Sequence, residues 1–301
     1  MRSELLRGLW VASLTPLAAD GSIDTGVLAR HCRKLIEDGC DGVALFGTTG
    51  EGQSFSVRER IDALEAVLKA GVPRERIVVG TGCAATTDAI ELTRHALGTD
   101  IAAAMLLPPF FWKGQSPDDV TASVSAVLDG VADPSLRVIL YHIPQVSAVS
   151  IEIPTIAALR KRFGAVIAGI KDSSADFTHF DRAFTAFPEM LHFVGAEPQF
   201  GRVLEIGGAG TICGLGNVAP RLMAQIKEKR GGAAAAQRDI EALCRFFGDR
   251  SFLPTVKAML AALSGDAGWR RTRAPMRPVS DSAAAEIAAF AQGLLGARKA
   301  A

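Results

Sequence analysis

Eight short apolar runs recur along this chain at nearly even intervals, and helix-length segments separate them. The runs are "LWVASLTP" (9–16), "GVALFG" (42–47), "RIVVGTG" (76–82), "AAAMLLPP" (102–109), "RVILYHIP" (137–144), "VIAGIKD" (166–172), "LHFVGAE" (191–197) and "GAGTICGLG" (208–216). Between them, "GVLARHCRKLIEDG" (26–39), "SVRERIDALEAVLKAG" (56–71) and "FTHFDRAFTAFP" (177–188) place apolar residues at helical spacing. Helix-start signals stand at Asp24-Thr25 and Ser54 to Ser56, and several segments end at glycine. Strands that are apolar on both faces and alternate with helices form a parallel sheet covered by helices. Eight such units in about 220 residues predict an α/β fold, a closed (β/α)8 TIM barrel. An open doubly wound sheet is the alternative, but no GxGxxG follows the first run.

After about residue 225 the strands stop. The rest is alanine-rich and helical, broken by the turn-rich "GDAGWRRTRAPMRPVSD". The expected organisation is a catalytic barrel over 1–225 and a C-terminal helical appendage over 226–301.

Composition excludes several functions. A net charge of +1 with scattered basic residues gives no electrostatic grip on nucleic acid or anionic lipid, so a small neutral or singly anionic ligand fits better. Five cysteines, odd in number and without a CxxC pair, argue against a disulfide framework or a zinc site, and a cytoplasmic location is expected. The N-terminus resembles a basic region before a short apolar stretch, as in a signal peptide, but Glu4 and Pro16 oppose that reading and the segment is needed as a strand. No apolar run approaches membrane-spanning length.

In a barrel of this kind the active site lies at the C-terminal ends of the strands. Lys171 closes the sixth run, Tyr141 lies near the end of the fifth, and Thr48 and Thr49 stand in the turn after the second. An ammonium in a partly apolar barrel mouth loses hydration, which favours free amine able to attack a ketone. The protonated imine then acts as an electron sink for loss of a proton or a carbon fragment from the adjacent carbon. The bland alternative is a rim lysine paired with Asp172 or reaching for water. Tyr141 is the only tyrosine in a chain with fifteen phenylalanines, so its hydroxyl is a candidate proton shuttle; a core tyrosine is the alternative. In "FGTTGEGQS", Gly47, Gly50 and Gly52 permit a tight turn whose amides, with the following helix start, suit a carboxylate. Anion cradle, imine former and proton shuttle together describe a 2-oxo acid site.

These residues match a family. "GTTGE", the Y-x-x-P of "YHIP", and "GIKDSS", in this order and at these intervals, resemble the dihydrodipicolinate synthase / N-acetylneuraminate lyase family. The resemblance runs from the first strand through "GGAGTICGLGNVAP" into the helical tail. It implies a pyruvate-type Schiff base on Lys171, Tyr141 as general acid/base, Thr48 relaying its proton, Thr49 with the turn backbone holding the carboxylate, and the Ile212 carbonyl facing the site. It also implies a homotetramer built from tight dimers, with no metal or organic cofactor.

Two departures bear on substrate. Members that make dihydrodipicolinate carry a second tyrosine in a "PYYN"-like segment, donated across a dimer interface, whereas this chain has "PPFFW" with Phe111 there. They also carry an arginine shortly after the tyrosine motif, where this chain has Val146. An apolar distal pocket of Phe110, Phe111, Trp112 and Val146 is expected, suiting a 2-oxo-3-deoxy sugar acid or a neutral or aromatic-tailed 4-hydroxy-2-oxo acid better than aspartate semialdehyde. Glu197 reads as a rim carboxylate or a ligand for a substrate hydroxyl. His142 points to the opposite strand face from Tyr141, and Cys213 reads as a small hydrophobe. Lys257 and the arginines at 270–273 read as surface or interface charge. Two other readings stay open: a phosphate cradle at "IGGAG" and "CGLGN", with Arg202 and Arg221 expected on helices, and a barrel that binds a 2-oxo acid without turnover.

Overall fold

The computed structural model describes residues 6–229 and 232–296; the basic start of the chain and its last residues lie outside them. All eight runs form strands: β1 (Gly8–Ala12), β2 (Gly42–Leu45), β3 (Ile77–Gly80), β4 (Ala103–Leu106), β5 (Val138–His142), β6 (Ile167–Asp172), β7 (Leu191–Val194) and β8 (Gly210–Cys213). They close in sequence order into a parallel barrel, with β1 paired to both β2 and β8. The (β/α)8 expectation therefore holds, and the open sheet does not.

Alternation along the strands separates two environments. Trp10, Ala44, Val78, Met105, Ile139, Phe193 and Ile212 fill the barrel interior. Their neighbours, such as Leu9, Val11, Val43 and Val79, face outward into the layer under the helices. Tyr141 belongs to the interior set, at its upper end.

The helices around the barrel are α1 (Thr25–Glu37), α2 (Val57–Lys69), α3 (Thr86–Gly98), α4 (Pro117–Val131), the one-turn α5 (Pro144–Ser147), α6 (Ile153–Phe163), α7 (Phe177–Ala186), α8 (Phe200–Glu205) and α9 (Pro220–Glu228). Their starts are chemically marked. Asp24 caps α1 by accepting from the Val27 amide, while Ser56 with Glu59 and Ser116 with Asp119 form capping boxes on α2 and α4. Each such cap is worth on the order of 1 kcal/mol and fixes where the preceding loop ends.

Beyond the barrel lie α10 (Ala233–Phe247), α11 (Phe252–Ser264) and α12 (Asp281–Leu295). Ile240, Leu243, Val256, Met259, Ile287 and Ala291 on these helices are continuous with the apolar layer that includes Leu28, Val43 and Leu64. The tail thus shares its core with the first barrel units. No helix among the described residues is long and apolar enough to cross a membrane.

Candidate active site

Tyr141 and Lys171 are register partners on β5 and β6, and both are buried. Their adjacency depends on an irregularity. Val138 pairs with Ile167, but Ile139 pairs with Gly169, so Ala168 is an extra residue in β6. Without that shift Tyr141 would face Ile170, which points outward into the helix layer. With it, the lysine Nζ lies 4.2 Å from the centre of the tyrosine ring. Lys171 is only 4 % exposed, and the Asp172 carboxylate is taken by other partners, so the rim ion pair weighed from sequence does not form.

Thr48 comes to the same point from β2: its Oγ1 is 3.2 Å from the Tyr141 hydroxyl. The turn that carries it is built sharply. Phe46 and Glu51 both adopt left-handed backbone, with φ of 55° and 56°. A Cβ on Gly52 would stand 2.0 Å from the Phe46 carbonyl oxygen, so only glycine closes this turn. Thr15 Oγ1 donates to the Gly50 carbonyl from β1's loop at 2.7 Å.

The same turn is fastened from the tail. Lys257 on α11 forms an ion pair with Glu51, both side chains fully buried, and donates to the Arg271 carbonyl at 2.7 Å. Arg273 donates its backbone amide to Glu51 and its guanidinium to Glu59, Gly21 and Ser54. Lys257 and Arg273 are therefore internal fasteners, which corrects their reading as surface or interface charge. A lysine finds a fully buried place here because a left-handed glutamate far away in sequence meets it. Burial pulls the Lys257 ammonium below its ordinary pKa, against the opposing pull of Glu51.

Ile212 lies on β8, and Thr49, in the turn after β2, meets the loop that follows β8. Ile212 is fully buried in the barrel interior, and Gly214 after β8 lies beside Thr49 and Phe252: a Cβ there would sit 3.2 Å from Thr49 Oγ1 and 2.5 Å from the Phe252 ring. Glu197 lies beneath this corner and is buried, not a solvated rim group. Its Oε1 accepts from the Gly214 and Leu215 amides, both at 2.9 Å. Burial raises its pKa, outweighing those two amides and the nearby charge of Lys171.

Behind the strands lies a buried cluster that the sequence did not announce. His142 faces away from Tyr141, as expected, and stacks on His179 at 3.9 Å between ring centres. His142 Nδ1 accepts from the Ile151 amide; His179 lies 2.6 Å from Asp172 Oδ2 through Nδ1 and 3.0 Å from the Ile151 carbonyl through Nε2. These three residues have the spacing of a metal site. Hydrogen bonds already occupy both nitrogens of His179 and one of His142, so the cluster is satisfied as it stands.

The distal residues are arranged differently from expectation. Phe111, Trp112 and Val146 are exposed by 64 %, 65 % and 58 %, with the two rings in edge contact. They do not close an apolar pocket within one chain. Instead, a cleft of about 580 Å³ opens beside Thr48 and Thr49, walled by Phe252 to Pro254 and by Pro275, Met276 and Arg277. Arg202 and Arg221 lie on α8 and α9 as expected and pair with Asp181 and Asp38, so neither is offered to a phosphate at the barrel mouth.

A closed parallel barrel with a lysine, a phenol and a threonine hydroxyl gathered at its upper end, extended by three helices, defines the class. The dihydrodipicolinate synthetase family model matches residues 5–293, and the chain belongs to that family. It is 35% identical over 287 residues to an uncharacterized DapA-like lyase of Chloroflexus aurantiacus, covering 94% of this chain and 95% of the relative. The crystal structure of dihydrodipicolinate synthase from Agrobacterium tumefaciens superposes with a TM-score of 0.90 at 29% identity, over 96% of this chain and 99% of that one. The fold is shared with a Sulfolobus 2-keto-3-deoxygluconate aldolase, TM-score 0.84 at 21% identity, over 97% and 96% of the two chains.

Proposed function

We propose that this protein is a lyase of the lysine-imine type, acting on a 2-oxo acid whose pyruvate part is held on Lys171. The carrying observation is the convergence of Lys171, Tyr141 and Thr48 from three strands onto one point. The Lys171 amine adds to the C2 ketone, and loss of water from the carbinolamine gives a protonated imine. Breaking the C3–C4 bond of a 4-hydroxy-2-oxo acid sends its electron pair into that imine, forming an enamine and releasing an aldehyde. Tyr141 gives its proton to the departing hydroxyl of the carbinolamine, and its phenolate, hydrogen-bonded to Thr48, then takes the proton of the 4-hydroxyl. Protonation of the enamine at C3 and hydrolysis then free pyruvate and the lysine. Thr49 and the amides of its turn receive the substrate carboxylate, and the Ile212 carbonyl faces the same space.

The substrate we favour is a 2-oxo-3-deoxy sugar acid or another 4-hydroxy-2-oxo acid. Condensation of pyruvate with aspartate semialdehyde, the reaction of 4-hydroxy-tetrahydrodipicolinate synthase, is disfavoured by Phe111 and Val146, which supply neither a phenol nor a cation. The chemistry asks for no metal or organic cofactor, and we expect a cytoplasmic homo-oligomer, a dimer of dimers. Borohydride reduction in the presence of pyruvate tests the reading: mass spectrometry should find a pyruvate-derived addition on the peptide containing Lys171. Labelling of another lysine, or none, sinks it.

A further inference from the structure

Beyond Tyr141 and Lys171, β5 and β6 present one more pair of register partners, His142 and Asp172. Alternation sends the first pair into the barrel mouth and the second outward, toward the first turn of α7, where His179 stands. Each site residue therefore shares a peptide bond with a member of the buried cluster. No hydrogen bond among the described residues holds the Lys171 ammonium, so its direction is set by the backbone of β6 and by the tyrosine ring.

The partners of the cluster assign its protons. Asp172 Oδ1 accepts from the Ser174 amide at 2.9 Å and from the Ser174 hydroxyl at 2.6 Å, which leaves Oδ2 for His179 Nδ1 at 2.6 Å. A carboxylate and the Ile151 carbonyl can only accept, so His179 donates from both nitrogens and is an imidazolium. His142 is neutral, because its Nδ1 accepts from the Ile151 amide at 3.0 Å. The two rings thus take both polar backbone groups of Ile151, and His179 joins the segment between α5 and α6 to the end of β6 by a short, charge-assisted bond.

We propose that His179 is a positioning residue for the imine chemistry: its bond to Asp172 fixes the strand end from which Lys171 reaches Tyr141. This rests on the imine-lyase reading above. A misplacement of about 1 Å caused by a remote substitution can cost on the order of 10² in rate. The effect should fall on the chemical step and not on pyruvate binding, because the carboxylate is received at the β2 turn, away from α7.

Asparagine and glutamine at position 179 separate the two bonds. The asparagine amide nitrogen takes the place of Nδ1 and can donate to Asp172, whereas that of glutamine takes the place of Nε2 and can donate to Ile151. Neither carries charge, so a difference between H179N and H179Q reports geometry. H179F keeps a ring on His142 and makes neither bond. Exchange of the pyruvate methyl protons in deuterium oxide, followed by proton NMR, gives kcat and KM with pyruvate as the only substrate. In the full-length protein, H179Q and H179F should lower kcat by about tenfold to a hundredfold with KM within about twofold of wild type, and H179N should keep kcat within about threefold. Wild-type kcat in H179Q and H179F, H179Q as active as H179N, or a loss confined to KM overturns the proposal. Should circular dichroism show H179Q or H179F unfolded, D172N weakens the same bond from its other end at constant shape. It should lower kcat by at least about fivefold, and wild-type exchange in D172N overturns the proposal. Wild-type protein that traps pyruvate on Lys171 under borohydride but exchanges no methyl protons also overturns it, with imine formation left standing. Absence of trapped pyruvate sinks the lyase reading, and this inference with it.

Discussion

Lys171 and Tyr141 face each other across β5 and β6, with the amine 4.2 Å from the centre of the phenol ring and the phenol oxygen 3.2 Å from Thr48 Oγ1. The ring forms a wall for the lysine, while its hydroxyl points into the threonine contact. Substitutions can therefore separate packing from proton transfer.

Tyr141→Phe keeps the ring against Lys171 and removes the hydroxyl. We expect unchanged circular dichroism and trapping of pyruvate, with kcat down by roughly 10²–10⁴ in cleavage of a 4-hydroxy-2-oxo acid. Near-normal turnover would make Tyr141 a core residue only.

Thr48→Val retains shape and loses a hydrogen bond to the phenol. A smaller effect is expected, about threefold to tenfold in kcat, because the tyrosine still carries the proton. Steady-state rates of Tyr141→Phe, Thr48→Val and the double variant should show that the two losses do not add, as for groups acting in one relay.

Lys257→Met leaves Glu51 buried without its counter-charge, in the turn that carries Thr48 and Thr49. Breaking such a pair costs on the order of 3–5 kcal/mol, measurable as a lower urea midpoint. Removing the charge on both sides, in Glu51→Gln with Lys257→Met, should recover part of that loss. If Lys257→Met unfolds like the wild type, the tail does not fasten the turn in the way described.

The two stacked histidines should give stability limbs of opposite sign. Burial, helped by the charge of His179, lowers the pKa of His142 to about 4, so the unfolded chain binds more protons below its ordinary pKa of 6.5. The stability held by neutral His142 is full above pH 6.5 and declines toward pH 4, by at most about 1.4 kcal/mol per pH unit. For His179, burial alone would lower the pKa, but the hydrogen bond and charge of Asp172 raise it above 6.5. Its contribution is therefore full below pH 6.5 and is lost as pH rises through the raised value. Unfolding free energies across pH 4–8 should lose the acidic limb in His142→Gln and the alkaline limb in His179→Gln. The same profile in wild type and both variants would refute these assignments.

Much of this protein was legible in the sequence by itself, because near neighbours decide it. Apolar runs of strand length between helical periods produced the eight strands, and the capping residues Asp24 and Ser56 marked where α1 and α2 begin. Strand ends in such a barrel point to one mouth, so Lys171, Tyr141 and Thr48 could be grouped before their distances were known. Other features arise only when distant segments meet. No local pattern marks Ala168 as the extra residue that turns Lys171 toward Tyr141; closure of the β5–β6 ladder sets that register. Lys257 read as surface because a lysine is rarely buried alone, and its partner Glu51 becomes reachable only after the tail has packed over the β2 turn. The placing of Arg277 beside Thr48 follows from the same packing. The sequence determined the barrel and the ends of its strands through short-range preference, whereas tertiary structure decided register, buried charge and the shape of the cleft, which depend on contacts between residues far apart in the chain.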